Sequence, residues 1–164
     1  MEIKIIEAST KKKIDAVIEI AEFKDMPKKK DGWNFNWRSL FKTEGAEFYK
    51  LTINEQEKTI EGVIMLSLMN DEMMYMNNVE IAPHNYGSKG KYENITGCLI
   101  AFACLKGIEK GKNFYEGYLT FESKTALIDF YRNKYGATLA RGQRMFIEPN
   151  VGQKLIKEYL DFEI

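Results

Sequence analysis

One histidine, His84, two cysteines, Cys98 and Cys104, and three prolines are all that 164 residues provide of those types. A single imidazole and two thiols, in no known ligand spacing, argue against a structural zinc site, and no metal is expected. Within one helix, six residues would hold Cys98 and Cys104 about 9 Å apart along the axis, too far for a disulfide. Free thiols fit a reducing compartment. Neither sign of charge is in excess, with 24 Lys+Arg against 24 Asp+Glu. Zero net charge disfavours broad phosphate-backbone binding, so nucleic acid is not expected as a partner, and the lysine runs 11–13 and 28–30 read as solvated faces. The longest apolar run, Cys98 to Leu105, is too short to span a bilayer. Met1-Glu2-Ile3-Lys4 carries no apolar signal core. The expectation is a cytoplasmic protein with no membrane partner. The patterns G-x-G-x-x-G and G-x-x-x-x-G-K-[ST] are also missing, which disfavours a dinucleotide or triphosphate enzyme.

What is present is a globular composition, 45% hydrophobic and 29% charged. No linker, repeat or low-complexity tract interrupts it, so residues 1–164 are expected to form a single domain. Glu2–Ile6 alternates as a strand, and Ser9-Thr10 can cap a helix to about Phe23 with Ile14, Val17, Ile18 and Ala21 on one face. A loop or short helix follows through Phe41. Strands are expected over about 47–54, 59–69 and 73–82, with turns at Glu55–Lys58 and Asn70-Asp71, making an antiparallel meander. Pro83–Asn94 is a loop of twelve residues. Ile95–Lys110 carries an apolar helical stripe. A strand over 113–121 follows, then a helix from Ser123 to Lys134 with Leu127, Phe130 and Tyr131 inward, closed by Gly136. Two short strands at 138–140 and 144–148 precede a last helix, where Asn150 and Gln153 resemble a capping box. The fold class is α/β (α+β): a mixed, mostly antiparallel central sheet flanked by helices, with one parallel βαβ pair.

That βαβ unit carries the chemistry. Ligands of such sheets lie beyond the carboxyl ends of the parallel strands, where the first loop meets the crossover helix. The helix N-terminus offers unpaired N–H groups to an anion. Small or turn-prone residues (Gly87, Ser88, Gly90, Asn94, Thr96, Gly97) and two lysines, Lys89 and Lys91, occupy the approach. The plainer alternative is a long solvated connection.

The order of elements resembles the GNAT superfamily of acyl-CoA-dependent N-acyltransferases. Motifs carry the resemblance from about Thr59 to Ala137. The family's Q/R-x-x-G-x-G/A loop is matched by Lys91-Tyr92-Glu93-Asn94-Ile95-Thr96, followed by Gly97. Lys91 stands for the basic residue, Asn94 for the first glycine and Thr96 for the small residue. Asn is the non-glycine residue best suited to a left-handed backbone. The resemblance implies that amides of Asn94, Ile95, Thr96 and Gly97 hold the pyrophosphate of acetyl-CoA or another acyl-CoA. It implies too that Val79 and Ile81, before Pro83, pair with the pantetheine arm. Tyr131, in Phe130-Tyr131 before Gly136-Ala137, corresponds to the tyrosine that often protonates the leaving thiolate.

Transfer of the acyl group to an amine would need a base, an oxyanion donor and an acid. Glu80 is the first base candidate; against it stands a carboxylate on the solvent side of the sheet. His84, at the mouth of the site, is the second, with an exposed loop histidine as its alternative. A backbone N–H of the strand ending at Ala82 would face the oxyanion. Tyr131 is the acid candidate, or a packing residue of its helix. Trp33 and Trp37, if exposed, would form an acceptor wall; otherwise they plug the core. The implied acceptor is a small-molecule or protein amine, and the chain a monomer or homodimer. A second function class is a non-catalytic GNAT-fold binding module, motivated by the missing loop glycines.

Overall fold

The computed structural model describes residues 1–53, 56–162 and 164. Its strands are β1 (Glu2–Glu7), β2 (Lys13–Ile20), β3 (Ala46–Ile53), β4 (Gln56–Met69), β5 (Met73–Ile81), β6 (Tyr92–Glu93), β7 (Leu119–Glu122), β8 (Thr138–Arg141) and β9 (Arg144–Ile147). The helices are α1 (Trp37–Leu40), α2 (Ile95–Lys110), α3 (Ile128–Tyr135) and α4 (Pro149–Leu155). Hydrogen bonding orders the sheet β6-β1-β2-β3-β4-β5-β7-β9-β8. Among the described registers, β5 with β7 is parallel and the others are antiparallel. The chain falls into two compact units: residues Met1–Met65 with Asn78–Leu99, and Leu66–Asn77 with Ile100–Ile164.

In the first unit, the helix expected from residue 10 to Phe23 is instead strand β2. Ile14, Ala16 and Ile18 alternate on one face. Ala16 pairs with both Ile3 and Ile53, and Ile18 with Leu51. Ile14, Val17, Ile18 and Ala21 also fit a helical stripe; β-branched Ile14, Val17, Ile18 and Ile20 and two available neighbouring strands decide for the sheet. Thr10, expected to cap a helix, instead donates its hydroxyl to Glu7 within a turn, 2.7 Å. The meander strands lie where the alternation places them. The turn expected at Glu55–Lys58 falls partly outside the described residues, and Gln56–Lys58 belong to β4. Trp37, Trp33, Phe48, Val63, Met65 and Ala82 form a core cluster, against which Phe35, Leu40 and Phe41 pack. Gly62 lies under the start of α2: a Cβ there would meet Ile95 Cγ2 and Leu99 Cδ1 at 2.9 Å each.

In the second unit, the parallel register is Met74↔Leu119 and Tyr75↔Thr120. Residues Asn113–Tyr115 form a 3-10 turn, so β7 is shorter than the strand expected from Asn113. Gly107 lets α2 approach the backbone, since a Cβ would lie 2.8 Å from Tyr118 O. The helix expected from Ser123 is a 3-10 turn followed by α3, closed by Gly136 at φ 69°. Leu127 and Phe130 are exposed, not inward, and Tyr135 takes the buried place. The last helix starts at Pro149 with Glu148 as its cap residue, so the Asn150–Gln153 capping box does not form. Cys98 and Cys104 are buried thiols, and burial pushes both up to about 12.

Candidate functional site

Among the described residues, two carboxylates are buried in the first unit, Glu61 on β4 and Glu80 on β5, with 1% and 7% exposure. Each gathers a loop around itself. Charge inside a protein persists only where donors replace water, so the donor sets explain both positions.

Glu80 receives four. Its Oε2 accepts the Asn34 N–H at 2.6 Å and the Tyr86 hydroxyl at 3.1 Å. Its Oε1 accepts the Phe35 N–H at 3.1 Å and the Trp37 indole Nε1–H at 2.9 Å. Two donors on each oxygen fill the carboxylate's acceptor sites. Glu80 is therefore neither on the solvent side of the sheet nor free to take a proton without giving up one of these bonds. Burial, reinforced by the charge of Glu80, pushes the Tyr86 hydroxyl up and keeps it a donor. The clamp also corrects the place of the tryptophans. Trp33 and Trp37 are 7% and 0% exposed and belong to the core, so they form no exposed wall.

Glu61 was not legible as a site residue. Its signal was a lone carboxylate inside the apolar run Thr59–Met69. Its Oε1 lies 2.5 Å from Nε2 of His84 and accepts from Asn85 Nδ2 at 3.0 Å. Asn85 in turn accepts the Tyr92 N–H on Oδ1 at 3.1 Å, and Lys91 N–H donates to His84 O at 2.9 Å. The loop of residues 83–92 is thus two 3-10 turns tied back to β4, not an open connection. Gly90 is required there, because a Cβ would lie 2.5 Å from Asn85 O. The Ala82 N–H donates to Glu61 O at 2.9 Å, so that amide is not available to an oxyanion. The His84 side chain is 41% exposed. A ring that donates through Nε2 to a carboxylate carries its lone pair on Nδ1, the arrangement of a usable base.

The loop closes into α2 through Asn94, whose φ of 73° is left-handed. Asn94 O accepts the Cys98 N–H at 2.9 Å, so the amides of Ile95, Thr96 and Gly97 precede the first intrahelical bond. Thr96 is half-buried and Lys91 exposed, with Nζ 5.4 Å from the Tyr92 ring centroid. Tyr92 and Glu93 pair with β1 as β6, and the Glu93 carboxylate is held by Lys11 at 2.6 Å. That pairing offsets a negative charge one residue before the turn. Amides, a left-handed turn and a compensated charge fit a diphosphate. Val79 and Ile81 are half-buried at the end of β5.

Tyr131 lies in the second unit, half-buried on α3, with its ring centroid 5.0 Å from that of Phe121. Burial pushes its hydroxyl up, so it stays protonated near neutral pH. Among the described residues, no three His, Cys, Asp or Glu side chains gather as a metal site, and no helix is long and apolar enough to cross a membrane.

Neither a family model nor a curated protein matches the sequence. Solved structures do match the fold. The KacTA-DNA complex contains a chain at TM-score 0.59 and 10% identity, covering 87% of this chain and 99% of that one. AtaTR bound with AcCoA matches at TM-score 0.56 and 13% identity, over 86% and 98%. The IAA acetyltransferase from Bacillus cereus ATCC 14579 matches at TM-score 0.54 and 16% identity, over 81% and 99%. The fold is that of the GNAT superfamily. One expectation falls. Nucleic acid was excluded on zero net charge, yet the similar structures include KacTA and AtaT-AtaR bound to DNA. The expectation of no nucleic-acid partner, drawn from net charge alone, is therefore corrected.

Proposed function

We propose that the protein is an acyl-CoA-dependent N-acyltransferase, transferring an acetyl group to an amine. The observation that carries the reading is the entry into α2: a left-handed Asn94 followed by three amides free of intrahelical partners, in a GNAT fold. The amides of Ile95, Thr96 and Gly97, with the Lys91 ammonium, would hold the diphosphate of acetyl-CoA. The polar backbone of Val79 and Ile81 would pair with its pantetheine amides. Bound acetyl-CoA supplies an acetyl carbonyl activated as a thioester.

His84 takes the base role in preference to Glu80: its ring is exposed and meets Glu61 through Nε2, which leaves Nδ1 as the nitrogen to accept a proton, while each oxygen of Glu80 already accepts two bonds. His84 Nδ1 removes the proton from the attacking amine. The N–C bond forms, the C–S bond breaks, and the products are an amide and a thiol. Tyr131 is the proposed source of the proton for the thiol, and it re-protonates through solvent.

The second reading, a non-catalytic GNAT-fold binder, draws on the loop itself: Asn94 and Thr96 replace glycines, and a carboxylate, Glu93, precedes them. Turnover separates the two. Acetyl-CoA consumption, followed by thiol release with a panel of small amines and peptide N-termini, is expected with at least one acceptor and to fall on Tyr131→Phe. Tight acetyl-CoA binding with no thiol release from any acceptor would favour the binder.

A further inference from the structure

We propose that Glu61 is a positioning residue that fixes His84 as the base, an inference that rests on the acyltransferase reading. The polar network is built for one ring orientation. Glu61, at 1% exposure, presents Oε1 to His84 Nε2 at 2.5 Å, and Asn85 Nδ2 holds the same oxygen at 3.0 Å. Asn85 is itself 5% exposed, anchored to Glu61 O at 3.3 Å and to the Tyr92 amide. The His84 carbonyl is held by the Lys91 amide, so the backbone is fixed within the loop while the ring is fixed from β4. A carboxylate facing one ring nitrogen selects the tautomer with the proton on that nitrogen, and it stabilises the imidazolium that forms when the other takes a proton. Glu61 touches no reacting atom. It keeps Nε2 protonated, which leaves Nδ1 to accept, and its charge balances the imidazolium during transfer.

The proton path is closed. Nδ1 takes one proton from the amine as the N–C bond forms, Nε2 keeps its own, and Nδ1 returns its proton to solvent after the amide leaves.

His84 is the only histidine, so every imidazole signal in a nitrogen-15 spectrum belongs to it. In the wild-type protein the Nε2–H is expected to exchange slowly and to resonate far downfield, as a ring N–H does against a buried carboxylate. Glu61→Met should erase that resonance while the chain remains folded by circular dichroism. Glu61→Gln retains an acceptor but no charge, and is expected to keep part of the signal. Steady-state rates supply the second readout. His84→Ala should lower kcat by about 10²–10⁴, Glu61→Met by a smaller factor, and the double variant no further than His84→Ala alone. The KM for acetyl-CoA should stay within twofold in all three. Multiplying losses in the double variant, or wild-type kcat in Glu61→Met, would overturn the inference with the acyltransferase reading intact. Absence of any turnover in the wild-type protein would overturn both, and the downfield resonance would then mark a structural contact only.

Discussion

Trp37 donates its indole Nε1–H to Glu80 Oε1 at 2.9 Å, joining the largest fully buried side chain of the first unit to a carboxylate at the end of β5. Three other donors share that carboxylate. Glu80→Ala would strand the Asn34 and Phe35 amides and the indole, each at the desolvation cost of an unmade bond, so a loss of at least about 3 kcal/mol is expected. Glu80→Gln should also destabilise, because its NH₂ in either orientation faces at least one N–H donor. Urea denaturation measures both. A Glu80→Gln protein of wild-type stability and no activity would return the base role to Glu80.

Asn94 occupies left-handed backbone at φ 73°, where a β-branched side chain is strained by about 1–2 kcal/mol. Asn94→Gly is expected to preserve or improve acetyl-CoA affinity, and Asn94→Val to lower both stability and affinity. Thermal melts with and without the cofactor test this pair.

How much of this was legible follows from what each residue's neighbours decide. α2 carries its stripe and its left-handed entry in its own sequence, so Ile95–Lys110 is found as expected. Strand β2 is not, because Ile14, Val17 and Ile18 satisfy period 3.6 while Ile14, Ala16 and Ile18 satisfy period 2. Only pairing with Ile3 and Leu51 settles it. The site divides in the same way. His84 and Glu80 stand out by residue type. Their opposite circumstances come from Glu61, Asn85, Asn34 and Phe35, up to 46 positions away in sequence. Trp33 and Trp37 read as surface or core with equal ease until both are seen packed in one cluster, with the Trp37 indole N–H on Glu80.

Cys98 and Cys104, held near 12 by burial, are expected to resist alkylation at about pH 8 in the folded protein and to react on unfolding. Mass spectrometry of labelling across a denaturant series reads the transition. Fast native labelling of either thiol would contradict the packing of α2.

Asp25 gives the acid limb a defined sign. Burial raises its carboxyl, but the Glu22 amide and the Lys50 ammonium at 3.0 Å more than offset that, leaving it below 3.8. A carboxyl lowered by folding adds stability above the unfolded value and loses it as pH falls through the folded one. Asp25→Asn should therefore lower Tm near pH 6 and converge on the wild type toward about pH 2.

Calorimetric titration of acetyl-CoA, beside acetyl-pantetheine that lacks the phosphates, tests the central claim most directly. Saturable heat with acetyl-CoA is expected, with much weaker heat for the phosphate-free analogue, and loss of binding in Thr96→Phe. No heat at millimolar acetyl-CoA, or equal affinity for both compounds, would contradict a diphosphate held by the amides that open α2.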